Sequence, residues 1–171
     1  KEEKVTGVIL DNGKKVTADA VVVATGGISY QATGSTGDGY AWAKECDHKI
    51  VEPMPALVPL ETKEDWTKSL QGLSLKNVSL SFKNGKKVLY EGFGEMMFTH
   101  FGITGPLVLS ASSYLKSANG VQAFLDLKPA LSMEQLDKRI LREFDENKNK
   151  QFKNSINSLF PAKLVPVMLT L

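Results

Sequence analysis

The chain has 171 residues, 42% of them hydrophobic, with 21 Lys and Arg against 19 Asp and Glu and a single cysteine, Cys46. Those values fit one soluble domain or two small ones and exclude a collagen-like, disulfide-framed or disordered chain. A net charge of +2, with both signs interspersed, carries no electrostatic footprint for nucleic acid or an anionic membrane, and no apolar run reaches the roughly 18–20 residues that span a bilayer.

The first four residues, Lys1-Glu2-Glu3-Lys4, are charged and lead into a strand-like run, which is not the pattern of a signal peptide. One cysteine makes no internal disulfide, so the expected compartment is reducing and cytoplasmic. Residues 5–10 are rich in Val, Ile and Leu, and Asn12-Gly13 follows with the positive φ values of a type I′ turn, so a hairpin is expected. Residues 20–24 (AVVVA) form a continuous β-branched run, the pattern of a strand buried on both faces. Thr25-Gly26-Gly27 ends that run, and a second glycine cluster, GSTGDG, occupies residues 34–39. A helix is expected from about Asp38 to about Asp47, with Thr36 or Asp38 as its N-cap.

The segment PMPALVP (residues 53–59) excludes helix and interrupts any central strand, so a domain crossover is expected there. From residue 60 to 127 the pattern is mostly β. Val78, Leu80 and Phe82 alternate with Ser79 and Ser81, and Asn84-Gly85 turns the chain into Val88, Leu89 and Tyr90. Pro106, after Gly105, suits the first turn of a helix running to about Lys116, and residues 121–127 return to strand. From Ser132 the period becomes helical: Ser132 is a ready N-cap, and Leu136, Ile140, Leu141 and Phe144 are expected on one face. Residues 147–154 read as a polar connection, residues 156–160 as a short helix and Pro161 as the start of another. The chain begins without Met and stops in the apolar stretch VPVMLTL, with no Gly, Asn or basic residue to close it, so a piece of a longer protein is expected.

Three constellations are candidates for chemistry. The strand end at residues 21–27 lets backbone approach a bulky ligand, with a tight strand-to-loop turn as the plain alternative. The glycines of residues 34–39 precede a helix N-terminus, whose first N–H groups lack partners; Asp38 there argues against a bare phosphate and suits a ligand hydroxyl or a cap. The third, GEMMFTHFGITGP (residues 94–106), gathers Glu95, His100, two threonines and several glycines in a stretch read as a loop between strand and helix. His100 and Glu95 are its candidate catalytic acid and base. The alternative is a glycine-bent barrel corner in which Met96, Phe98 and Phe101 pack the core.

Other motifs fail. Gln31 stands where a nucleophile elbow begun at Gly27-Ile28-Ser29 needs glycine, and neither a P-loop nor a forward G-x-G-x-x-G occurs. Cys46 and His48 have no second pair, so no zinc site is expected and His48 is read as a surface residue.

The order of these pieces, namely the hairpin, ADAVVVATGG, TGSTGDGYAWA, PALVPL, LQGLSLKNVSL and GEMMFTHFGITGP, resembles the aminoacetone-oxidase-like and bile-acid-reductase-like bacterial flavoproteins, a family of NAD(P)/FAD-dependent oxidoreductases. The resemblance runs from about residue 5 to 171. It implies an α+β chain: residues 1–48 as the trailing hairpin and strand of an α/β FAD-binding domain, 49–127 as a β-barrel-like insert and 128–171 as the start of a helical insert. It also implies FAD as cofactor in the full-length protein, NAD(P)H as electron donor, the remainder of the FAD-binding domain as partner, and a small-molecule substrate. ATGG followed by TGDG is similar to the flavoprotein subunits of succinate dehydrogenase and fumarate reductase. That likeness implies that Ala24, Thr25 and Gly26 lie along the FAD and that Asp38 contacts it, so the candidate cofactor-binding set is Ala24, Thr25, Gly26, Gly27, Thr36, Gly37 and Asp38. The likeness to that second group stops after Glu52, and its fumarate chemistry does not transfer. The inserts would cover the flavin and shape a substrate pocket, with residues 94–106 facing it, and the chain alone would be inactive. A β-barrel and helix module that binds a ligand or protein without catalysis is the alternative.

Overall fold

A computed structural model describes residues 4–170 of the chain. The chain divides into two compact units, one ending at Pro53 and the other beginning at Met54.

In the first unit β1 (Gly7–Ile9) pairs antiparallel with β2 (Lys15–Thr17), Val8 opposite Val16. The expected hairpin is present, but its turn is not type I′. The Gly13 N–H donates to the Leu10 carbonyl at 2.8 Å, the Leu10 N–H to the Lys14 carbonyl at 2.9 Å, and only Gly13 takes a positive φ, 77°. That is a three-residue loop closed by a left-handed glycine, and the Asn12 carboxamide oxygen supports it by accepting from the Lys14 N–H at 3.0 Å. The second NGKKV string folds differently: Asn84 pairs with Lys87 around a two-residue loop, Gly85-Lys86, in which Gly85 alone has positive φ.

Residues 20–24 correct the expectation of a buried strand. No described strand pairs with them, and Val22 is 86% and Val23 57% exposed. A β-branched run becomes a buried strand only when neighbours supply the hydrogen-bond ladder and layers cover its faces, and among the described residues neither does. Helix α1 (Asp38–Glu45) starts where expected, but its N-cap is Gly37, at φ 92°, with no side-chain cap hydrogen bond. Asp38 is the first helical residue, so neither it nor Thr36 caps. Among the described residues of this unit none is buried.

The second unit is α+β, with helices on a curled, half-barrel sheet. Its five antiparallel strands lie in the order β3 (Leu60–Glu61), β6 (Gly102–Thr104), β5 (Lys87–Phe98), β4 (Ser74–Asn84), β7 (Val121–Asp126). The alternation in β4 works as the sequence predicts: Val78, Leu80 and Phe82 are buried, and with Leu75, Met96, Phe98 and Ile103 they make the sheet's share of the core. Helix α3 (Pro106–Ser112), with Pro106 in its first turn, adds Leu107, Val108 and Ala111, while the Ser112 hydroxyl accepts from the Val58 N–H at 3.0 Å. Helix α2 (Trp66–Ser69) brings Trp66 to within 6.3 Å of the Phe98 ring. Gly102 lets β3 lie close, because a Cβ there would collide with the Leu60 carbonyl oxygen and come within 2.8 Å of the Thr62 nitrogen.

Helix α4 (Met133–Glu146) carries the expected cap. The Ser132 hydroxyl accepts from the Gln135 N–H at 3.2 Å and the Gln135 side chain accepts from the Ser132 N–H at 2.9 Å, a reciprocal capping box. Leu136 and Ile140 are half-buried, but Leu141 is 59% exposed. At about 100° per residue it lies about 140° from Leu136, off the shared face, whereas Phe144 lies near enough to meet Phe152 at 5.8 Å. The polar connection is interrupted by α5 (Phe152–Ser155), four residues before the expected short helix, and residues 156–159 are turns. The last helix, α6 (Val165–Met168), begins after Pro161 and has Pro166 in its first turn; Leu164 and Val167 reach the core.

Candidate functional site

The two glycine segments of the first unit pack on one another. A Cβ at Gly39 would sit 2.6 Å from the Thr25 hydroxyl and 3.3 Å from Val23, so only glycine allows the first turn of α1 to lie against the end of the valine run. Gly37, the N-cap, lies against Ile28, where a Cβ would come within 3.0 Å of its Cγ2. The positive φ of Gly37 releases the chain into α1 and leaves the first N–H groups of the helix without capping side chains. Gly26, at φ 72°, faces the Ser35 hydroxyl, with 2.8 Å between that oxygen and an added Cβ. Thr25, Gly27 and Gly37 are half-buried, and Ala24, Gly26, Thr36 and Asp38 are exposed. Thus the two segments meet through Gly39 against Thr25 and Val23 and Gly26 against Ser35, while Ala24, Thr36 and Asp38 are exposed on them.

The third constellation is built differently from the expected loop. Residues 94–98 belong to β5, and Gly102–Thr104 is β6, leaving only a tight turn between them. The Thr99 hydroxyl accepts from the Phe101 N–H at 3.3 Å and the Gly102 N–H at 3.0 Å, and the Thr99 N–H donates to the Gly102 carbonyl at 2.8 Å. Met96 and Phe98 face the core; Phe101 is half-buried. Glu95 alternates outward, is exposed, and lies 3.9 Å from the Lys76 ammonium. His100 is exposed at the turn, its ring edge-on to Phe101 at 4.8 Å. No hydrogen bond joins Glu95 to His100 among the described residues.

Two cavities accompany these segments. One, of about 530 Å³ beside α1, is lined by Tyr40, Lys44, His48, Lys49, Glu52 and Pro53, and makes the exposed His48 part of a concave surface. The other, of about 330 Å³ in the second unit, is lined by Lys76, Asn77, Lys128, Leu131 and Arg139; single residues scattered through the sequence gave no signal for it. Among the described residues no group of three or more His, Cys, Asp or Glu is placed to hold a metal ion, and no helix is long and apolar enough to cross a membrane.

The second unit is an antiparallel half-barrel sheet with helices, and the comparison with known families falls on that unit. Residues 54–171 match the family model described as HI0933-like protein barrel and H2TH domain, and the chain belongs to this HI0933-like family of FAD-dependent oxidoreductases. It is 30% identical over 168 residues to a 3-dehydro-bile acid delta(4,6)-reductase of Clostridium scindens, covering 96% of this chain and 41% of that protein. Ribosomal RNA dihydrouridine synthases are similar at the same level. That of Haemophilus influenzae is 30% identical over 98% of this chain and 40% of its own length. That of Escherichia coli is 30% identical over 94% of this chain and 38% of its own length. The chain therefore spans about two fifths of the relatives it matches.

Proposed function

We propose that this chain is the barrel-bearing portion of an FAD-dependent oxidoreductase that adds two hydrogens across a carbon–carbon double bond. The observation that carries the reading is the apposition of Thr25 and Gly26 with Ser35, Gly37 and Gly39, within a unit that buries none of its described residues. Bare backbone, accessible N–H groups at the start of α1 and an exposed carboxylate at Asp38 suit a cofactor with hydroxyl groups. Asp38 would accept a hydrogen bond from a cofactor hydroxyl, and residues 24–27 would supply backbone against its flat surface. Flavin, when bound, supplies the redox chemistry, with NAD(P)H as electron donor. The relatives support the reaction type, since a delta(4,6)-reductase and a dihydrouridine synthase are both named for saturating double bonds.

In this reading residues 1–48 belong to the FAD-binding domain, 49–127 form the barrel insert and 128–171 begin the helical insert. The remainder of the FAD-binding domain covers Val22 and Val23 and supplies the pyrophosphate anchor, a G-x-G-x-x-G that this sequence lacks. The second unit supplies substrate recognition, with the turn at Thr99, His100 and Phe101 as its polar feature, and the enzyme works in the cytoplasm. The reading is tested by Asp38→Ala in the full-length protein: flavin content falls, while unchanged flavin content removes Asp38 from the site. A binding module without catalysis is the second reading, favoured by the fact that every buried described residue lies in the second unit. It is selected if the full-length protein purifies without flavin.

A further inference from the structure

Three cations from three separate elements surround the 330 Å³ cavity of the second unit. The bulge in β4 sets Lys76 and Asn77 opposite the single Glu95 of β5, with Asn77 at φ 56°, and so turns both toward the cavity lining. The connection after β7 contributes Lys128, and α4 contributes Arg139. The Arg139 Nε is buried without a hydrogen-bond partner, and the guanidinium makes no ion pair among the described residues.

Nearby carboxylates do not answer it. Glu143, one turn along α4, accepts from the Ser158 hydroxyl at 2.6 Å, Asp126 accepts from the Lys128 N–H at 2.8 Å, and Glu95 faces Lys76. The Arg139 guanidinium has no carboxylate partner among the described residues, and a guanidinium that lines a cavity together with ammonium groups matches phosphate oxygens in both charge and geometry.

We propose that this cavity is a phosphate-binding site, with Arg139 as the principal donor and Lys76 and Lys128 as flanking charges. The site rests on the second unit alone and does not depend on the flavin reading. Its phosphate comes from a ribonucleotide chain, from a phosphorylated dinucleotide, or from free phosphate.

The test is titration of the 171-residue protein with inorganic phosphate at low ionic strength by calorimetry, alongside Arg139→Gln, Lys128→Gln and Lys86→Gln. The last makes the same change of charge at the β4–β5 turn. Binding is expected to be saturable, to weaken about tenfold or more in Arg139→Gln as a charge-assisted hydrogen bond is lost, to weaken several-fold in Lys128→Gln, and to be unchanged in Lys86→Gln. Lys128 is exposed, so its variant keeps the test valid if Arg139→Gln fails to fold. Absence of phosphate binding, or equal binding by wild type and Lys128→Gln, overturns the site. Competition then assigns the source: displacement by a short single-stranded RNA indicates a nucleic acid, displacement by NADPH a dinucleotide, and displacement by neither free phosphate.

Discussion

Leu80→Ala tests where the chain keeps its stability. Leu80 is 1% exposed at the centre of β4, the strand flanked by β5 and β7, between Val78 and Phe82 on the same face. Its cross-strand partner on β5 is Gly92, which has no side chain to relax into the hole; Leu107 of α3 already lies over Gly92, where a Cβ would come within 3.0 Å of its Cδ2. A buried Leu→Ala substitution costs about 3–5 kcal/mol, and poor relaxation places this site near about 4 kcal/mol. The contrast is Val22→Ala, at a position 86% exposed, which should change stability by less than about 0.5 kcal/mol. Urea unfolding in a Trp42→Phe background leaves Trp66, packed near Phe98, as the fluorescent reporter of the second unit. A loss below about 1.5 kcal/mol for Leu80→Ala, or an equal loss for Val22→Ala, refutes the assignment of the core to the second unit.

Gly102→Ala should detach β3 from β6, at a cost of about 2 kcal/mol or more, because the added methyl meets backbone and not a movable side chain; hydrogen exchange at Thr62, whose N–H donates to the Phe101 carbonyl, reads the loss directly. Ser132→Ala removes half of the capping box and should destabilise the start of α4 by about 1 kcal/mol, seen as faster amide exchange in its first turn and little change in β4. The Lys68 ammonium, hydrogen-bonded to Asp65 at 2.7 Å, holds the Asp65 carboxyl below its ordinary value. A depressed carboxyl favours the folded contact above the ordinary carboxylate range and loses that advantage as pH falls through the depressed value. Lys68→Met should therefore return the Asp65 titration to the ordinary range when followed by NMR, and an unmoved titration discounts the pair.

The β-rich unit was legible because its signals are local and agree with one another. Alternation in β4 names the buried residues, Gly105-Pro106 marks the start of α3, and Ser132 with Gln135 marks the start of α4. Some failures depend on a partner distant in sequence, and others on local geometry that residue type alone does not set. Residues 20–24 have the composition of a buried strand, but composition does not provide the neighbours that pair with it. NGKKV occurs twice and makes two turns, since loop length is set by which flanking residues pair. Leu141 is apolar yet lies about 140° from Leu136 at about 100° per residue, an offset that a list of apolar positions hides. At the candidate site, ATGG and TGDG were legible as segments, whereas their contact through Gly39 and Thr25 was not. The phosphate cavity was beyond sequence reading, because Lys76, Lys128 and Arg139 converge only when β4, the connection after β7 and α4 are assembled.

The central claim, that the apposed glycine segments hold a flavin, is tested most directly by the flavin content of the full-length protein carrying Gly39→Val. The larger side chain would drive α1 from Thr25 and Val23. The account predicts a protein that purifies with little or no flavin while the Trp66-reported unfolding of the second unit is unchanged. Stoichiometric flavin in both Gly39→Val and Asp38→Ala would contradict it.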